Sequence, residues 1–522
     1  MNQVSRWPLV TLVLLLLAGC ADKNAEALAV EPAEKETQGK PNVVVFYIDD
    51  LGYGDVGSYG AVGVETPVID RLAAEGVRFT DAHSSAATCT PSRYSLLTGE
   101  HGFRSNAAIL PGDAPALIRP GKATLASMFK KAGYTTAVVG KWHLGLGDGN
   151  VDWNTDISPG PLDIGFDYSF LLPATGDRVP TVYVEDRAVV NLDHADPIIV
   201  SYKTKVGNRP TRLERPDLAR VVADKQHSET IINGVSRIGT MGGGESALWV
   251  DEEFPDVFTG KAIDFIRANK DKPFFLFKSY HDIHVPRLPH PRFQGKSTMG
   301  PRGDAIAQMD WMTGRVIEEL EVLGIVDNTL VIFTSDNGPV LNDGYEDGAV
   351  EKLGEHHPGG PYRGGKYSAY EAGTRVPTIV WWPGKVEPAV VDTLFSQIDI
   401  YASLARLAGV DLSENEAIDS LDTLDVMLGL SGESSRVELI EENVVTPALR
   451  DGNWKLIPAV GKSKKGGFLE NKGIESGRLN KPQLFDLSID PGEQNNLADE
   501  YPERVETMQA RIEKIMEEGY GK

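Results

Sequence analysis

Residues 42–50 of the chain read NVVVFYIDD, a continuous run of apolar, β-branched and aromatic residues that stops at two aspartates. A strand with one face in water alternates apolar and polar side chains, and this run does not alternate. We therefore predict a strand that is buried on both faces, as in a parallel sheet. Asp49 and Asp50 would lie at its carboxyl end, the edge at which open α/β sheets bind their ligands.

A second run of the same type, TLVIFT at residues 329–334, is followed by Ser335, Asp336 and Asn337. Shorter strand-like runs alternate with segments of helical periodicity: strands at 135–139, 274–277 and 378–382, and helices after Thr66, after Thr124 and at 305–323. This alternation predicts an α/β fold with a doubly wound, mixed but mostly parallel central sheet flanked by helices. A smaller C-terminal α+β subdomain would follow.

The last predicted helix covers residues 503–518. Its apolar residues recur at helical spacing, so one face would be buried. That face carries Val505, Met508, Ile512 and Met516.

Oxygen-bearing side chains follow both buried strands: Asp49 and Asp50 after the first, Asp336 and Asn337 after the second. Buried carboxylates cost free energy unless they are paired or bind a cation. An all-oxygen ligand set suits Ca²⁺ or Mg²⁺ better than zinc. The alternative is that these residues cap helices or form turns.

The segment SAATCTPSRYSLLTG, residues 85–99, predicts a helix that begins near Thr90 and Pro91. Cys89 would lie just ahead of the helix N-terminus, where exposed backbone N–H groups favour an anion. Arg93 would lie one turn further along, within reach of that anion. The alternative is a buried, unreactive cysteine.

The sequence CTPSR at residues 89–93, followed by YSLLTG, resembles the C-x-P-x-R signature of type I sulfatases in the alkaline-phosphatase-like superfamily. Further segments resemble other motifs of this family: DDLGYG at 49–54, GKWHLG at 140–145, DIGFD at 163–167, PFFLFKSYHDIHVP at 273–286, SDNG at 335–338, RGGK at 363–366, GTRVP at 373–377 and LFDLSIDPGEQNNL at 484–497. The resemblance covers nearly the whole mature chain and implies a sulfuric ester hydrolase.

In this family the signature cysteine is oxidised to formylglycine, so the resemblance implies that a formylglycine-generating or equivalent maturation enzyme acts on Cys89. The matching motif positions give the implied catalytic residues: Cys89, Arg93, Lys141, His143, His284 and Lys366. They also give the implied ligands of one Ca²⁺, or alternatively Mg²⁺: Asp49, Asp50, Cys89, Asp336 and Asn337.

The resemblance also implies a role for each catalytic residue. Arg93, Lys141 and Lys366 would hold the sulfate and stabilise charge as the S–O bond breaks. The formylglycine hydrate would attack sulfur, and His284, with help from Lys366, would protonate the departing oxygen. His143 would then take the proton from the second hydroxyl of the hydrate, which expels sulfate.

Residues 227–249 and the D-I-H-V-P form of the histidine motif resemble bacterial carbohydrate sulfatases of the galactose- and N-acetylgalactosamine-6-sulfatase type. The resemblance implies a sulfated carbohydrate substrate. Asp177 and Arg178 are candidates for binding sugar hydroxyls, with a surface ion pair as the alternative, and His281 is a further candidate contact.

Other functions stay open at this point. One is an arylsulfatase of broad specificity, and another is a phosphatase or phosphodiesterase of the same superfamily. A third is a surface lipoprotein that binds sulfated glycan without cleaving it.

The N-terminus predicts an export signal in residues 1–20. Arg6 precedes an apolar run at residues 9–18 that is too short to span a bilayer as a helix. The end of this run, LAGC at residues 17–20, resembles a bacterial lipobox, which implies a lipid on Cys20. We therefore expect a lipoprotein of the periplasm, outer membrane or cell surface, with a plain secretory signal as the alternative.

We expect residues 21–40 to form a flexible tether, residues 41–435 the catalytic domain and residues 436–522 the C-terminal subdomain. With 522 residues, of which 41% are hydrophobic, the chain can bury a large core and is not disordered. A net charge of −23 argues against a nucleic-acid partner. Two cysteines exclude a disulfide scaffold.

Overall fold

The computed structural model describes residues 39–461, 469 and 472–520. Its strands are β1 (Asn42–Ile48), β2 (Val77–Phe79), β3 (Ala82–His83), β4 (Thr135–Lys141), β5 (Tyr168–Leu172), β6 (Val184–Glu185), β7 (Ala188–Val189), β8 (Ile199–Ser201), β9 (Val222–Ala223), β10 (Ile231–Ile232), β11 (Val235–Ser236), β12 (Thr240–Gly242), β13 (Phe274–Ser279), β14 (Thr329–Ser335), β15 (Tyr345–Glu346), β16 (Thr378–Trp381), β17 (Ala389–Val391), β18 (Phe395–Ser396), β19 (Glu438–Glu441), β20 (Ala448–Asp451), β21 (Trp454–Ile457) and β22 (Gln483–Asp486). Its helices are α1 (Pro67–Glu75), α2 (Cys89–Thr98), α3 (Leu125–Lys131), α4 (Phe254–Asn269), α5 (Gly300–Val322), α6 (Ile400–Ala408), α7 (Leu424–Met427) and α8 (Pro502–Glu518).

The central sheet has ten strands in the order β17-β2-β16-β14-β1-β13-β4-β5-β6-β7. Five consecutive strands of this sheet run parallel to one another: β14, β1, β13, β4 and β5. Within this sheet only β16 and β6 run against the rest. The predicted mixed, mostly parallel sheet is therefore confirmed.

Both faces of β1 are buried, as its uninterrupted apolar sequence predicts. Val43, Val45 and Tyr47 pack with side chains of α2, α3 and α6 on one face. Val44 and Phe46, on the other face, pack with side chains of α1, α4 and α5. Helices on both faces leave the edge at the strand ends as the accessible part of the sheet.

The register of the sheet brings polar residues to one edge. Ile48 of β1 lies opposite Ser335 of β14, so Asp49 and Asp336 leave neighbouring strands side by side. On the other side of β1, Ser279 of β13 lies opposite Gly140 of β4, directly before Lys141.

The C-terminal region adds an antiparallel sheet in the order β19-β20-β21-β22, as predicted. Helix α8 packs on it through Met508, Ile512 and Ile515. The prediction placed Met516 on this face, but Met516 is 36% exposed. A helix turns by about 100° per residue, so Ile515 stays in line with Met508 and Ile512 whereas Met516 turns away.

Residues from Lys40 onward form one compact unit, and its division near residue 435 stays a prediction. Among the described residues, no helix is both long and apolar enough to cross a bilayer. The predicted signal, the lipid-bearing Cys20 and nearly all of the predicted tether lie outside the described residues.

Candidate active site

Four oxygen-bearing side chains follow β1 and β14 and are almost completely buried: Asp49, Asp50, Asp336 and Asn337. Asn337 Nδ2 donates to Asp50 Oδ1 at 2.8 Å, and the Asp50 amide donates to Asp336 Oδ1 at 3.2 Å. Asp50 has a φ of 62°, in the left-handed region that is uncommon for residues other than glycine.

This oxygen cluster fits a cation. Asp49 Oδ1 and Asn337 Oδ1 are buried and have no hydrogen-bond partner among the described residues. Ligand oxygens of Asp49, Asp50 and Asp336 lie within 4.8 Å of one another. Burial raises the pKa of Asp49 and of Asp50, because an ionised carboxylate is costly in this environment. A divalent ion would satisfy the bare acceptors and favour the ionised carboxylates, so these residues could hold a metal.

Two predicted cationic residues are bonded to these carboxylates. Arg93 donates to Asp336 Oδ2 from Nε at 2.9 Å and from Nη2 at 2.7 Å, and its Nη1 donates to Ser279 Oγ at 2.5 Å. Lys141 donates to Asp49. Burial raises the pKa of Asp336, but Arg93 and the neighbouring lysines outweigh it and bring this pKa below its usual value.

The third predicted cation, Lys366, bridges two carboxylates. Its Nζ donates to Asp50 Oδ2 and to Asp343 Oδ2, each at 2.9 Å. Tyr367 donates its hydroxyl to Asp343 Oδ1 at 3.0 Å. Lys366 is therefore bonded to Asp343 as well as to the predicted metal ligand Asp50.

Cys89 is the first residue of α2, and Thr88 is the N-cap residue. The sequence predicts a helix that begins near Thr90, and the helix begins one residue earlier. Thr90 is not its N-cap residue, and the Thr90 hydroxyl instead donates to the carbonyl of His143 at 3.0 Å. Burial raises the pKa of the Cys89 thiol to about 12. An unmodified thiol here would stay protonated and would be a weak nucleophile.

The two predicted histidines each use one ring nitrogen for a backbone carbonyl. His143 Nε2 donates to Leu110 O at 2.9 Å, which leaves Nδ1 buried without a partner among the described residues. His284 Nδ1 donates to Val285 O at 2.6 Å, which leaves Nε2 at 3.9 Å from Asp50 Oδ2. Burial and nearby lysines hold both pKa values well below the usual range. Both rings are therefore neutral, with one nitrogen free to accept a proton.

Cys89, His143, His284 and Lys366 line one small cavity of about 20 Å³. Arg93, Lys141 and the oxygen cluster are not in its lining. The cluster adjoins the cavity because Asp50 accepts from Lys366 and because Asp49 has a carboxylate oxygen within 4.8 Å of ligand atoms of Cys89 and His284. All the predicted catalytic residues and metal ligands therefore belong to one cluster at the carboxyl edge of the sheet.

The predicted pair Asp177 and Arg178 lines the same cavity. Arg178 Nη1 donates to Asp177 Oδ1 and Oδ2 at 2.8 and 2.9 Å, and His227 Nε2 lies 3.2 Å from Asp177 Oδ2. Asp177 is 2% exposed, so the alternative of a surface ion pair is wrong. The pair faces the position of the reacting group.

His281 lies outside the lining of this cavity. Its Nε2 accepts a hydrogen bond from the Gly176 amide at 2.9 Å, and its ring packs edge-on against Phe254 at 5.3 Å between centroids. Because Nε2 is already used, the predicted direct contact of His281 with substrate is not supported by the structure.

Sequence reasoning missed five residues of the cavity lining: Ile109, Gln226, His227, Asp343 and Tyr367. His227 opens a segment that resembles carbohydrate sulfatases, so that segment was the available signal. Asp343 stands in an Asn-Asp-Gly triplet, which by itself indicates only a turn.

Comparison with protein families matches residues 41–410 to the family described as Sulfatase. The chain is 49% identical to an N-acetylgalactosamine-6-O-sulfatase of Bacteroides thetaiotaomicron over 99% of each chain. It is 31% identical to human arylsulfatase A over 88% of this chain and 83% of that one. A solved structure from work on the metabolism of multiple glycosaminoglycans by B. thetaiotaomicron matches with a TM-score of 0.89 at 50% identity, covering 91% of this chain and 99% of the other.

The fold and the site define an α/β protein with buried carboxylates, cations and histidines gathered at the carboxyl edge of a mostly parallel sheet. Within that class, the chain belongs to the sulfatase family, and it is a sulfuric ester hydrolase, as predicted.

Proposed function

We propose that the protein removes 6-O-sulfate from galactose or N-acetylgalactosamine units of a sulfated carbohydrate. The observation that carries this proposal is the single buried cavity in which Cys89, His143, His284 and Lys366 face the pair Asp177 and Arg178. The 49% identity to an N-acetylgalactosamine-6-O-sulfatase supports both the sugar and the position of the sulfate.

The proposed nucleophile is formylglycine at position 89, produced by a maturation enzyme. Its hydrate carries two hydroxyls on one carbon, of which one displaces the sugar oxygen from sulfur and the other allows sulfate to leave. The high pKa of the Cys89 thiol supports a modified side chain over a thiolate. The bare Nδ1 of His143 supports this residue as the base that takes the proton of the second hydroxyl.

Lys366 and His284 would act on the departing sugar oxygen. His284 is neutral in the free cavity because burial and Lys366 lower its pKa. A bound sulfate ester would place negative charge beside the ring, and a nearby anion raises the pKa of an imidazole. His284 could then donate a proton to the leaving oxygen while Lys366 stays paired with Asp50 and Asp343.

We propose Ca²⁺, or alternatively Mg²⁺, as the ion held by Asp49, Asp50, Asp336 and Asn337, with position 89 as a further ligand. The all-oxygen set and its two bare acceptors support a hard cation. Such an ion supplies positive charge at the reacting group. Arg93 and Lys141 fix the carboxylates that would hold it.

A substrate screen tests the proposal. Galactose, N-acetylgalactosamine and N-acetylglucosamine carrying sulfate at different positions would be compared with fucose sulfates, a small aryl sulfate and a phosphate monoester. We expect the highest kcat/KM for 6-sulfated galactose or N-acetylgalactosamine. A preference for aryl sulfates would favour a broad arylsulfatase, phosphate release a phosphatase, and glycan binding without release a non-catalytic lipoprotein.

We also propose that the protein is exported and bound to a membrane only through a lipid on Cys20. The apolar run at residues 9–18 and the sequence LAGC at residues 17–20 support this. Cys20→Ala should move the protein from the membrane fraction to the soluble fraction in the native host. Retention of the variant in the membrane fraction would contradict the lipid anchor.

A further inference from the structure

The turn at residues 175–178, which carries Asp177 and Arg178, is held from behind by two side chains that do not line the cavity. His281 Nε2 accepts the amide hydrogen of Gly176 at 2.9 Å, and Arg237 Nη1 donates to the carbonyl oxygen of Gly176. Both side chains are almost completely buried. The residue directly before Asp177 is therefore fixed through both of its backbone polar groups.

Arg237 is itself held in one position. Its Nη2 donates to both carboxylate oxygens of Asp251 at 2.9 and 2.7 Å, and its guanidinium lies 5.5 Å from the ring centroid of Trp249. Trp249 Nε1 donates to Asp251 Oδ1 at 3.3 Å. A buried charge-assisted pair stacked on an aromatic ring has little freedom, so it can serve as a fixed support.

The turn also packs closely against the His281 ring at Gly176. A Cβ atom on Gly176 would lie 2.6 Å from His281 Nε2, so only glycine fits there. Ile238, the residue after Arg237, also bonds to this segment. Its amide donates to Asp177 O at 2.8 Å, and its carbonyl oxygen accepts from the Val179 amide at 3.1 Å. Arg237 and its neighbour thus bind the backbone on both sides of Asp177.

We propose that Arg237 and His281 are positioning residues for sugar recognition, which hold the 175–178 turn so that Asp177 and Arg178 face the substrate. This inference rests on the proposed function, because it requires that the Asp177–Arg178 pair binds the sugar rather than the sulfate. Arg237 does not line the cavity and bonds to none of Cys89, Lys366 or the metal-ligand carboxylates. Its loss should therefore weaken binding of the sugar and leave the chemistry at sulfur intact.

The test compares a sulfated sugar with a small aryl sulfate on wild type and on Arg237→Lys. Lysine keeps the positive charge beside Asp251. It lacks the planar guanidinium group through which arginine bonds Gly176 and Asp251 at the same time. We expect KM for the sulfated sugar to rise about tenfold, the effect of losing a charge-assisted hydrogen bond. We expect kcat/KM for the aryl sulfate to stay within about twofold of wild type, because the chemistry at sulfur stays intact.

Arg436→Lys is the matched control. Arg436 makes a similar buried bidentate pair with Asp399, at 2.8 and 2.5 Å, and neither residue lines the cavity. This variant should lose thermal stability to a similar extent without changing the ratio of kcat/KM for the two substrates. A change of the ratio in Arg436→Lys as large as in Arg237→Lys would assign the effect to general destabilisation and overturn the inference.

A second pair of variants tests the positioning role of His281 if Arg237→Lys does not fold. His281→Phe keeps the ring that packs on Phe254 but removes the acceptor of the Gly176 amide, whereas His281→Gln keeps an acceptor near the position of Nε2. We expect selectivity for the sulfated sugar to fall in His281→Phe and to recover in His281→Gln. Equal losses on both substrates, or an unchanged ratio in His281→Phe, would overturn the inference. Failure of wild type to release sulfate from any sugar would instead overturn the proposed function.

Discussion

The two sides of the catalytic cavity are built in different ways. The proposed sulfate side consists of Cys89, His143, His284, Lys366 and the oxygen cluster, and most of these residues lie at or just beyond ends of β1, β4, β13 and β14 or at the start of α2. The proposed sugar side consists of Asp177, Arg178 and His227, all on segments outside strands and helices. One side takes its geometry from the sheet, and the other takes it from hydrogen bonds made by loops.

This difference separates chemistry from specificity. On the sulfate side the register of β1 against β14 fixes the oxygen cluster, and Arg93 and Lys141 bond directly to it. On the sugar side a turn must be fixed through its backbone by buried partners such as Arg237. A change on the sulfate side should therefore affect every sulfate ester alike, and a change on the sugar side should affect only sugars.

Cys89→Ala should have the largest effect. Loss of the nucleophile should lower sulfate release from a sulfated sugar and from a small aryl sulfate by about 10⁴-fold or more. The side chain is small and lies at the start of α2, so the melting temperature should stay close to that of wild type. Sulfate release and thermal unfolding would be measured on the same preparation. Substantial residual turnover, or active wild type with an unmodified thiol by mass spectrometry, would contradict the formylglycine mechanism.

Removal of the proposed divalent ion should have the next largest effect, with a loss of about 10³-fold on both substrates. Burial raises the pKa of Asp49 and Asp50 above the unfolded value in the metal-free protein. Their stabilising contribution is therefore present at low pH, below the ordinary carboxyl pKa, and is lost as the pH rises through the raised values.

The measurement is the melting temperature of the chelated protein between about pH 4 and pH 8, repeated after Ca²⁺ is added back. The chelated protein should become less stable towards high pH, and Ca²⁺ should remove most of this loss because it favours the ionised carboxylates. Identical curves with and without Ca²⁺ would show that the oxygen cluster does not hold this ion.

The same difference explains what the sequence could predict. β1 covers the predicted residues 42–48, and the oxygen cluster follows it as expected, because a run that is buried on both faces and ends in acids has few other interpretations. Cys89 could be recognised because its neighbours match a family signature. Each of these features depends on residues that are close in sequence or on strands that are adjacent in a parallel sheet.

The sugar side could be predicted only in part. Asp177 and Arg178 were candidates, but the residues bonded to Asp177 and to the neighbouring Gly176 are distant in sequence and lie on loops without periodicity: Arg237, His281 and His227. The buried face of α8 carries Ile515 where Met516 was predicted, and this difference has a simpler cause. Residues that follow one another at a spacing of four drift off one face of a helix after two turns.

Asp177→Ala should separate the two sides. Loss of the carboxylate that pairs with Arg178 should raise KM for a sulfated sugar about tenfold, and kcat/KM for a small aryl sulfate should change by less than about twofold. Both substrates would be measured with the same enzyme preparation so that the ratio does not depend on the active fraction. If both substrates lose activity to the same extent, Asp177 acts on the chemistry and the assignment of the sugar side is wrong.

Tyr367→Phe should have the smallest effect and tests where the boundary between the two sides lies. The Tyr367 hydroxyl donates to Asp343, which in turn accepts from Lys366, so its loss removes one of the bonds that hold Asp343 in place. Because the bond between Asp343 and Lys366 remains, we expect kcat to fall by about threefold on both substrates and their ratio to stay constant. A loss confined to the sulfated sugar would place Asp343 and Tyr367 on the sugar side. In that case Lys366 would join the two sides, and chemistry and specificity would share one residue.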